Sequence, residues 1–226
     1  MQMIKRLIES LRQKGLLETL KSAARILADY RFDWKYGTDT MRRVDVDSFD
    51  TDSGYRAHAT PYQASKARPL MKLFHELRLP KDGILVDLGC GKGRVLFVAA
   101  QLGFKKVVGI EFCAQLCRNA RKNAELFLKK YPSSSAIEVI EADVSRYEFN
   151  GDENIFFLYN PFDSVVLADV LERINTSAVK TPRDMWMIYN NPVLHDIVLQ
   201  NQLFVEYNRY EIEGEIFHVY YHRVQK

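Results

Sequence analysis

The stretch LVDLGCGKGRV, Leu85 to Val95, decides how the rest of the chain is read. An apolar run ends in Asp87, glycines follow at alternate positions 89, 91 and 93, and a helical pattern opens at Arg94. A strand that turns through glycines into a helix is the usual ligand-holding turn of an open α/β sheet, where ligands lie beyond the carboxyl ends of the strands. Glycine tolerates positive φ there and lets the backbone come close to the ligand.

The flanking sequence agrees with this frame. ILVDLG predicts a strand and residues 94–102 a helix; KVVGIE predicts a strand and residues 114–130 a helix carrying Leu116, Ala120, Ala124 and Phe127 on one side. IEVIEADV reads as a strand, NIFFLYNPF as a strand followed by a helix over 165–174, and DMWMIYNNP as a strand followed by a short helix near 194–201. The tail LFVEYNRYEIEGEIFHVYYHR reads as two strands about Glu213-Gly214, an antiparallel hairpin. Such alternation predicts an α/β fold: a doubly wound, mostly parallel seven-stranded sheet of Rossmann-like type, closed by that hairpin. Upstream, residues 63–79 predict a helix with Leu70, Leu73, Phe74 and Leu77 on one side. Residues 33–62 are polar and turn-rich with scattered aromatics, the pattern of a long ordered loop or lid. Residues 3–30 carry apolar positions at helical spacing, broken at Gly15 into two helices with a basic polar face. That face could lie on an anionic membrane or a nucleic acid, but a helix packed on the main domain with a solvated face is the favoured reading.

The glycine spacing narrows the ligand. A dinucleotide turn is G-x-G-x-x-G and aims at a pyrophosphate. Here the spacing is G-x-G-x-G, Arg94 takes the place of the third glycine, and Asp87 faces the ligand, which suits a cationic amine better than a phosphate. The second strand ends at Glu111, about 20 residues beyond Gly91, where a carboxylate can accept hydrogen bonds from both ribose hydroxyls. The third strand ends in EAD, so Asp143 can face an adenine amino group. A ribose, an adenine and a cationic tail without phosphate describe S-adenosylmethionine. The expected cofactor-binding set is Asp87, Gly89, Cys90, Gly91, Gly93, Glu111, Phe112, Asp143 and Val144. For single members there is a plainer reading: turns need glycine anyway, and Asp143 could cap a turn.

VDLGCGKGR, GIE and EAD, in order over about residues 80–192, resemble the class I S-adenosylmethionine-dependent methyltransferases. YGTDT, GCGKGR, GIEF and LYNPF together look like a largely uncharacterised bacterial group within that family. The resemblance implies that the glycine turn cradles the methionine portion of the cofactor and that Glu111 binds its ribose. It also implies an N-terminal helical and lid region over 1–63 and a methyltransferase domain over 64–226. LYNPF is similar, in shortened form, to the Asn/Asp-Pro-Pro-aromatic signature of amino-group methyltransferases. That likeness implies that Asn160 and the Pro161 carbonyl hold a target amine, with Phe162 packed on it; Asn160 also counts among the cofactor contacts. The second proline is missing, and Asp163 follows instead, so O-methylation stays open and Asn160-Pro161 could simply turn the chain. By analogy with a Pro-Thr-Pro-like segment in related enzymes, Thr60 and Tyr62 of HATPYQAS are expected to close over the cofactor, with Tyr36, Asp39 and Thr40 as weaker candidates. Asn190, Asn191 and Pro192 could line the substrate side.

Composition bounds the alternatives. The chain has 226 residues, 47% hydrophobic and 27% charged, with net charge +3. No apolar run approaches the roughly 18 residues of a membrane span, and MQMIKRLIESLRQKG lacks the apolar core of a signal peptide, so the expected location is the cytoplasm. Cys90, Cys113 and Cys117 read as buried thiols, and His218 and His222 as strand residues, so no metal is expected. The expected partner is a methyl acceptor of unknown class and the expected reaction N-methylation of an amino group on a protein or small molecule, with nucleic acid not favoured. The rival readings are an RNA methyltransferase, for which net +3 is thin support, a binding protein that has lost catalysis, and a nicotinamide oxidoreductase, which the glycine spacing disfavours.

Overall fold

A computed structural model of the chain describes residues 26–49 and 53–224, together with residues 17, 20, 23 and 24. The helices expected over 3–30 therefore lie mostly outside the described residues. What is described continues as a helix, α1, over 26–36. The remaining elements are α2 (Ser53–His58), α3 (Ala67–Leu77), β1 (Ile84–Leu88), α4 (Arg94–Gln101), β2 (Lys106–Glu111), α5 (Ala114–Lys130), β3 (Ala136–Glu141), β4 (Glu153–Leu158), α6 (Ser164–Lys180), β5 (Met185–Asn190), α7 (His195–Gln200), β6 (Val205–Ile212) and β7 (Glu215–His222).

The sheet runs β3-β2-β1-β4-β5-β7-β6. Strands β1 to β5 are parallel, and β7 pairs antiparallel with both β5 and β6. Strand order reverses between β1 and β4, so their carboxyl ends mark the crevice where a ligand sits. The central strands are apolar on both faces because helices cover both. Leu85, Ile155, Phe157 and Ile188 pack with Phe74, Leu96, Phe97 and Phe127 of α3, α4 and α5. The alternate residues Val86, Leu88, Phe156, Leu158 and Met187 pack with Leu167, Val170, Leu171 and Ile174 of α6 and Val198 of α7. This period of two sets the register: a one-residue slip would exchange the two cores.

Element ends depart from the sequence expectation for local reasons. Helix α3 starts at Ala67, not at 63, and Pro69 is accommodated in its first turn. Helix α6 runs to Lys180 rather than 174: Asn175-Thr176-Ser177 has weak helix propensity, yet Ser177 and Ala178 are buried and hold the last turns. Strand β4 stops at Leu158, and Asn160 enters the left-handed region at φ 43°. Asp163 then caps α6, its Oδ1 accepting the Val165 and Val166 N–H groups at 3.1 and 3.2 Å. The hairpin turns where expected, with Glu213 and Gly214 at φ 54° and 84°, the positive pair that suits a two-residue turn between twisted strands. The 33–62 segment is less irregular than its composition suggests, since α1 reaches residue 36 and a 3-10 turn (Val46–Ser48) and α2 lie within it.

Candidate active site

The glycine turn is fixed by backbone bonds to the neighbouring strand. Gly89 and Cys90 N–H both donate to the Ile110 carbonyl, at 2.9 and 3.0 Å, and Gly93 N–H closes the turn on Cys90 O at 2.8 Å. Gly89, Gly91 and Gly93 have φ of 83°, 51° and 88°, which only glycine adopts without strain. Space is limiting as well. A Cβ at Gly89 would stand 2.3 Å from Pro161 Cβ, and one at Gly91 would stand 2.1 Å from the Tyr62 ring.

A cavity of about 910 Å³ opens over this turn. The predicted residues Asp87, Gly89, Cys90, Glu111, Phe112, Asp143, Val144, Thr60, Tyr62, Pro161 and Phe162 all line it. Gly91, Gly93 and Asn160 do not. Gly91 lies beneath the Tyr62 ring, Gly93 starts α4 against Phe97, and the Asn160 side chain is directed at Tyr189 and Asn191.

The acids differ in state. Asp87 is 2% exposed, and its Oδ2 has no hydrogen-bond partner. Burial, with the Glu111 carboxylate beside it, holds its pKa well above the ordinary carboxylate range. Glu111 is also pushed up by burial, but its Oε1 accepts the Cys113 N–H at 3.0 Å and its Oε2 the Gly91 N–H at 2.9 Å, and these bonds favour its charged form. Asp143 does cap a turn: its Oδ1 accepts from Ser145 N–H at 2.9 Å and Ser145 Oγ at 2.7 Å, starting the 3-10 turn Val144–Arg146. Its Oδ2 is left facing Arg146 Nε at 3.6 Å. Cys90, Cys113 and Cys117 are buried free thiols, and burial raises the pKa of Cys90 and Cys117.

The lid closes on the turn at two places. Thr60 donates its hydroxyl to the Asn160 carbonyl and its N–H to the Pro161 carbonyl, the latter at 3.2 Å, and Ala59 bridges Phe162. Tyr62 bridges Val44, and its hydroxyl donates to the Thr40 carbonyl at 2.7 Å. Val44, Val46, Phe49, Ala59 and Tyr62 form an apolar roof against Phe112, Cys113 and Leu116.

Sequence reasoning missed what anchors this roof. Arg94, noted only as an intruder in a glycine position, is 1% exposed at its side chain and lies between the turn and the lid. Its Nε donates to Thr40 Oγ1 at 2.6 Å, while its terminal nitrogens reach Asp29 Oδ1 at 3.5 Å and Asp33 Oδ2 at 3.2 Å. Asp33 in turn accepts from Thr38 and Thr40 hydroxyls and from Thr40 and Met41 N–H groups. Tyr36, Asp39 and Thr40 therefore do not line the cavity. Tyr36 packs on Phe127, Asp39 pairs with Lys92, and Thr40 holds Arg94. Phe49, His58 and the α6 residues Asp169, Glu172 and Arg173 also line the cavity without having been singled out. The α6 set follows helical spacing after the LYNPF turn, which was the available signal. At the far end, Tyr189 hydroxyl donates to Asn160 Oδ1 at 2.7 Å, and Asn160 Nδ2 donates to the Asn191 carbonyl at 2.7 Å. Asn190, Asn191 and Pro192, expected on the substrate side, do not line the cavity.

The residues present suit the cofactor read from the sequence. The unpartnered Asp87 oxygen offers a buried acceptor at the cavity wall, and Gly89 lines that wall without a side chain.

A family model described as a methyltransferase domain matches residues 80–226. Over 90 residues the chain is 36% identical to a histone-lysine N-methyltransferase, H3 lysine-79 specific, of Dictyostelium discoideum, a match to 36% of this chain and 5% of that protein. Over 66 residues it is 33% identical to a protein-lysine N-methyltransferase of Saccharolobus islandicus, covering 29% of this chain and 41% of that one. The chain thus spans under half the length of both curated relatives. An RNA methyltransferase from Salinibacter ruber, solved with S-adenosyl-L-homocysteine, shares the fold at a TM-score of 0.52 and 17% identity, over 72% of this chain and 95% of that one. Among the described residues no helix is long and apolar enough to cross a membrane. The family match covers more than half of the sequence and falls on the same strands, turn and acids from which a sulfonium cofactor was read, and the chain belongs to the class I S-adenosylmethionine-dependent methyltransferases.

Proposed function

We propose that the protein methylates an amino group carried by a protein. The observation that supports this reading most directly is the contact between the glycine turn and the Asn160-Pro161-Phe162 loop. Pro161 packs so closely on Gly89 that a cofactor held by the turn and an acceptor held by the loop would meet in one cavity. The two relatives above 30% identity are both protein-lysine N-methyltransferases, which favours a protein as the carrier.

When bound, S-adenosylmethionine supplies an electrophilic methyl on a positively charged sulfur. Asp87 Oδ2 is the natural partner for the cationic amine of its methionine portion. Each Glu111 oxygen keeps a lone pair beyond its backbone bond, and these suit the ribose hydroxyls. Asp143 Oδ2, with Phe112 and Val144 beside the same wall, suits the adenine.

On the acceptor side, the Phe162 ring lines the cavity and offers its face to a cationic lysine side chain. Asn160 acts as a positioning residue. Its bonds to Tyr189 and Asn191 hold the loop in its left-handed turn, with Pro161 and Phe162 lining the cavity. A lysine ammonium must lose a proton before it attacks. His58 lines the cavity with its Nδ1 2.6 Å from Asp163 Oδ2, which leaves Nε2 free to take that proton.

The test is transfer of labelled methyl from S-adenosylmethionine into a fractionated lysate. Label in the protein fraction, recovered as methyl-lysine, is expected; label confined to RNA or to small molecules overturns the reading. Asn160→Ala is expected to leave cofactor affinity nearly unchanged and to lower kcat by roughly 10- to 100-fold, the cost of a small misplacement at the reacting centre. Wild-type turnover in this variant would remove Asn160 from the acceptor site.

A further inference from the structure

A second group of chemically capable side chains lies outside the cofactor cavity, where α7 meets the terminal hairpin. His195 opens α7, Glu206 lies on β6 and His218 on β7. One ligand-type atom from each lies within 4.8 Å of the others. His218 Nδ1 is 3.0 Å from Glu206 Oε1 and 3.1 Å from His195 Nδ1. His195 Nδ1 is in turn 2.8 Å from the Tyr220 hydroxyl. None of these residues lines the cofactor cavity.

Without an ion, the Tyr220 hydroxyl can donate to His195 Nδ1 and His218 Nδ1–H to Glu206, which leaves the two imidazole nitrogens facing each other at 3.1 Å with no proton to share. One cation at the centre engages all three ligand atoms at once. Ligands held about 2.0–2.2 Å from a single ion stand roughly 2.8–3.6 Å apart at octahedral or tetrahedral angles, and the separations of 3.0 and 3.1 Å fall in that interval. We infer that His195, Glu206 and His218 form a binding site for one divalent first-row transition ion of the zinc class. Two imidazoles and a carboxylate are the donor set of zinc sites that keep an open position, and imidazole is a good ligand for such ions. The two histidines are half-buried and Glu206 is exposed, so the site is preorganised and still open to entry from solvent. Tyr220 hydroxyl or a water takes the remaining position.

The sequence hides this site. His218 and His222 sit four apart and invite pairing, but His222 Nδ1 bonds the Leu203 carbonyl at 2.9 Å. The true partners come from α7 and β6, and only the fold brings them together.

The test uses the whole protein, freed of metal with a chelator and titrated with Zn²⁺ and, separately, with Co²⁺. The expected result is one equivalent of each, a higher Tm with Zn²⁺, and a Co²⁺ visible spectrum of nitrogen and oxygen ligation without a thiolate charge-transfer band. His195→Gln and His218→Gln should each abolish saturable binding. Glu206→Gln, a change at an exposed position that leaves folding intact, should weaken binding and keep the Tm of the metal-free protein. Absence of saturable binding in the wild type, binding unchanged in Glu206→Gln and in the folded histidine variants, or a thiolate band pointing to the cysteines would each overturn the site.

Discussion

Asp87 carries an unusual burden for a single residue: a carboxyl that is 2% exposed, with one oxygen unpartnered and Glu111 alongside. Its pKa is raised in the folded state, so the neutral form is favoured there. The stability this contributes is complete below the ordinary pKa of 3.8 and is lost as pH rises through the folded value. Asp87→Asn is therefore expected to raise the Tm of the cofactor-free protein at neutral pH, with the gain shrinking toward pH 4, and to weaken S-adenosylmethionine binding. Thermal melts across that pH range check the first part and calorimetry the second; a variant less stable than wild type at pH 7 would contradict it. Gly91→Ala combines a φ of 51° with a Cβ 2.1 Å from the Tyr62 ring. The strain of a left-handed alanine alone is about 1–2 kcal/mol and should lower Tm by a few degrees, while displacement of the Tyr62 ring should raise the dissociation constant for S-adenosyl-L-homocysteine. An unchanged constant would show that Tyr62 can move aside without consequence. At this scale the sequence was highly legible, because glycine spacing and strand-end acids encode backbone geometry and polarity directly. It was ambiguous at Asp143, where capping and ligand binding ask for the same carboxylate, and only coordinates show that one oxygen is committed to Ser145.

Among elements, the lid depends on a guanidinium that belongs to α4. Arg94 is joined to Asp29 and Asp33 of α1 and to Thr40 beyond it, all buried. Removing one partner of a buried ion network costs about 3–5 kcal/mol, because the remaining charges lose compensation. Arg94→Ala should lower Tm by roughly 10 °C, make the 38–62 segment more sensitive to protease, and reduce cofactor affinity while the sheet persists in far-UV circular dichroism. A variant that loses stability but keeps a protected lid would show that the network serves the core alone. YGTDT and Arg94 were each visible in the sequence, but periodicity carries no information on which loop meets which turn. The same limit explains α6: its buried Ser177 and Ala178 extend a helix whose local propensity had already run out.

In the whole molecule, the fold order was readable because alternating apolar runs and helices leave few topologies, and the hairpin signal fixed the last two strands. Helix α3 is tied to that hairpin by Lys66–Glu215, Arg68–Glu213 and Lys72–Glu213 contacts at 2.6 to 2.9 Å, which places the lid side and the C-terminal edge on one frame. Hydrogen exchange should show this division: slow exchange in β1 and β4, faster exchange across residues 38–62, and slowing of the latter when S-adenosyl-L-homocysteine is added. Uniform slowing, or none in 38–62, would argue against a lid that responds to the cofactor. The lid contacts have a further consequence in time. Ala59, Thr60 and His58 are joined to residues 160–163, about a hundred positions later in the chain. During synthesis from the N-terminus, the lid leaves the ribosome long before anything exists for it to close upon. A nascent chain can complete β1 and its glycine turn while the roof is still unpaired, and the cavity is enclosed only after Asp163 has emerged.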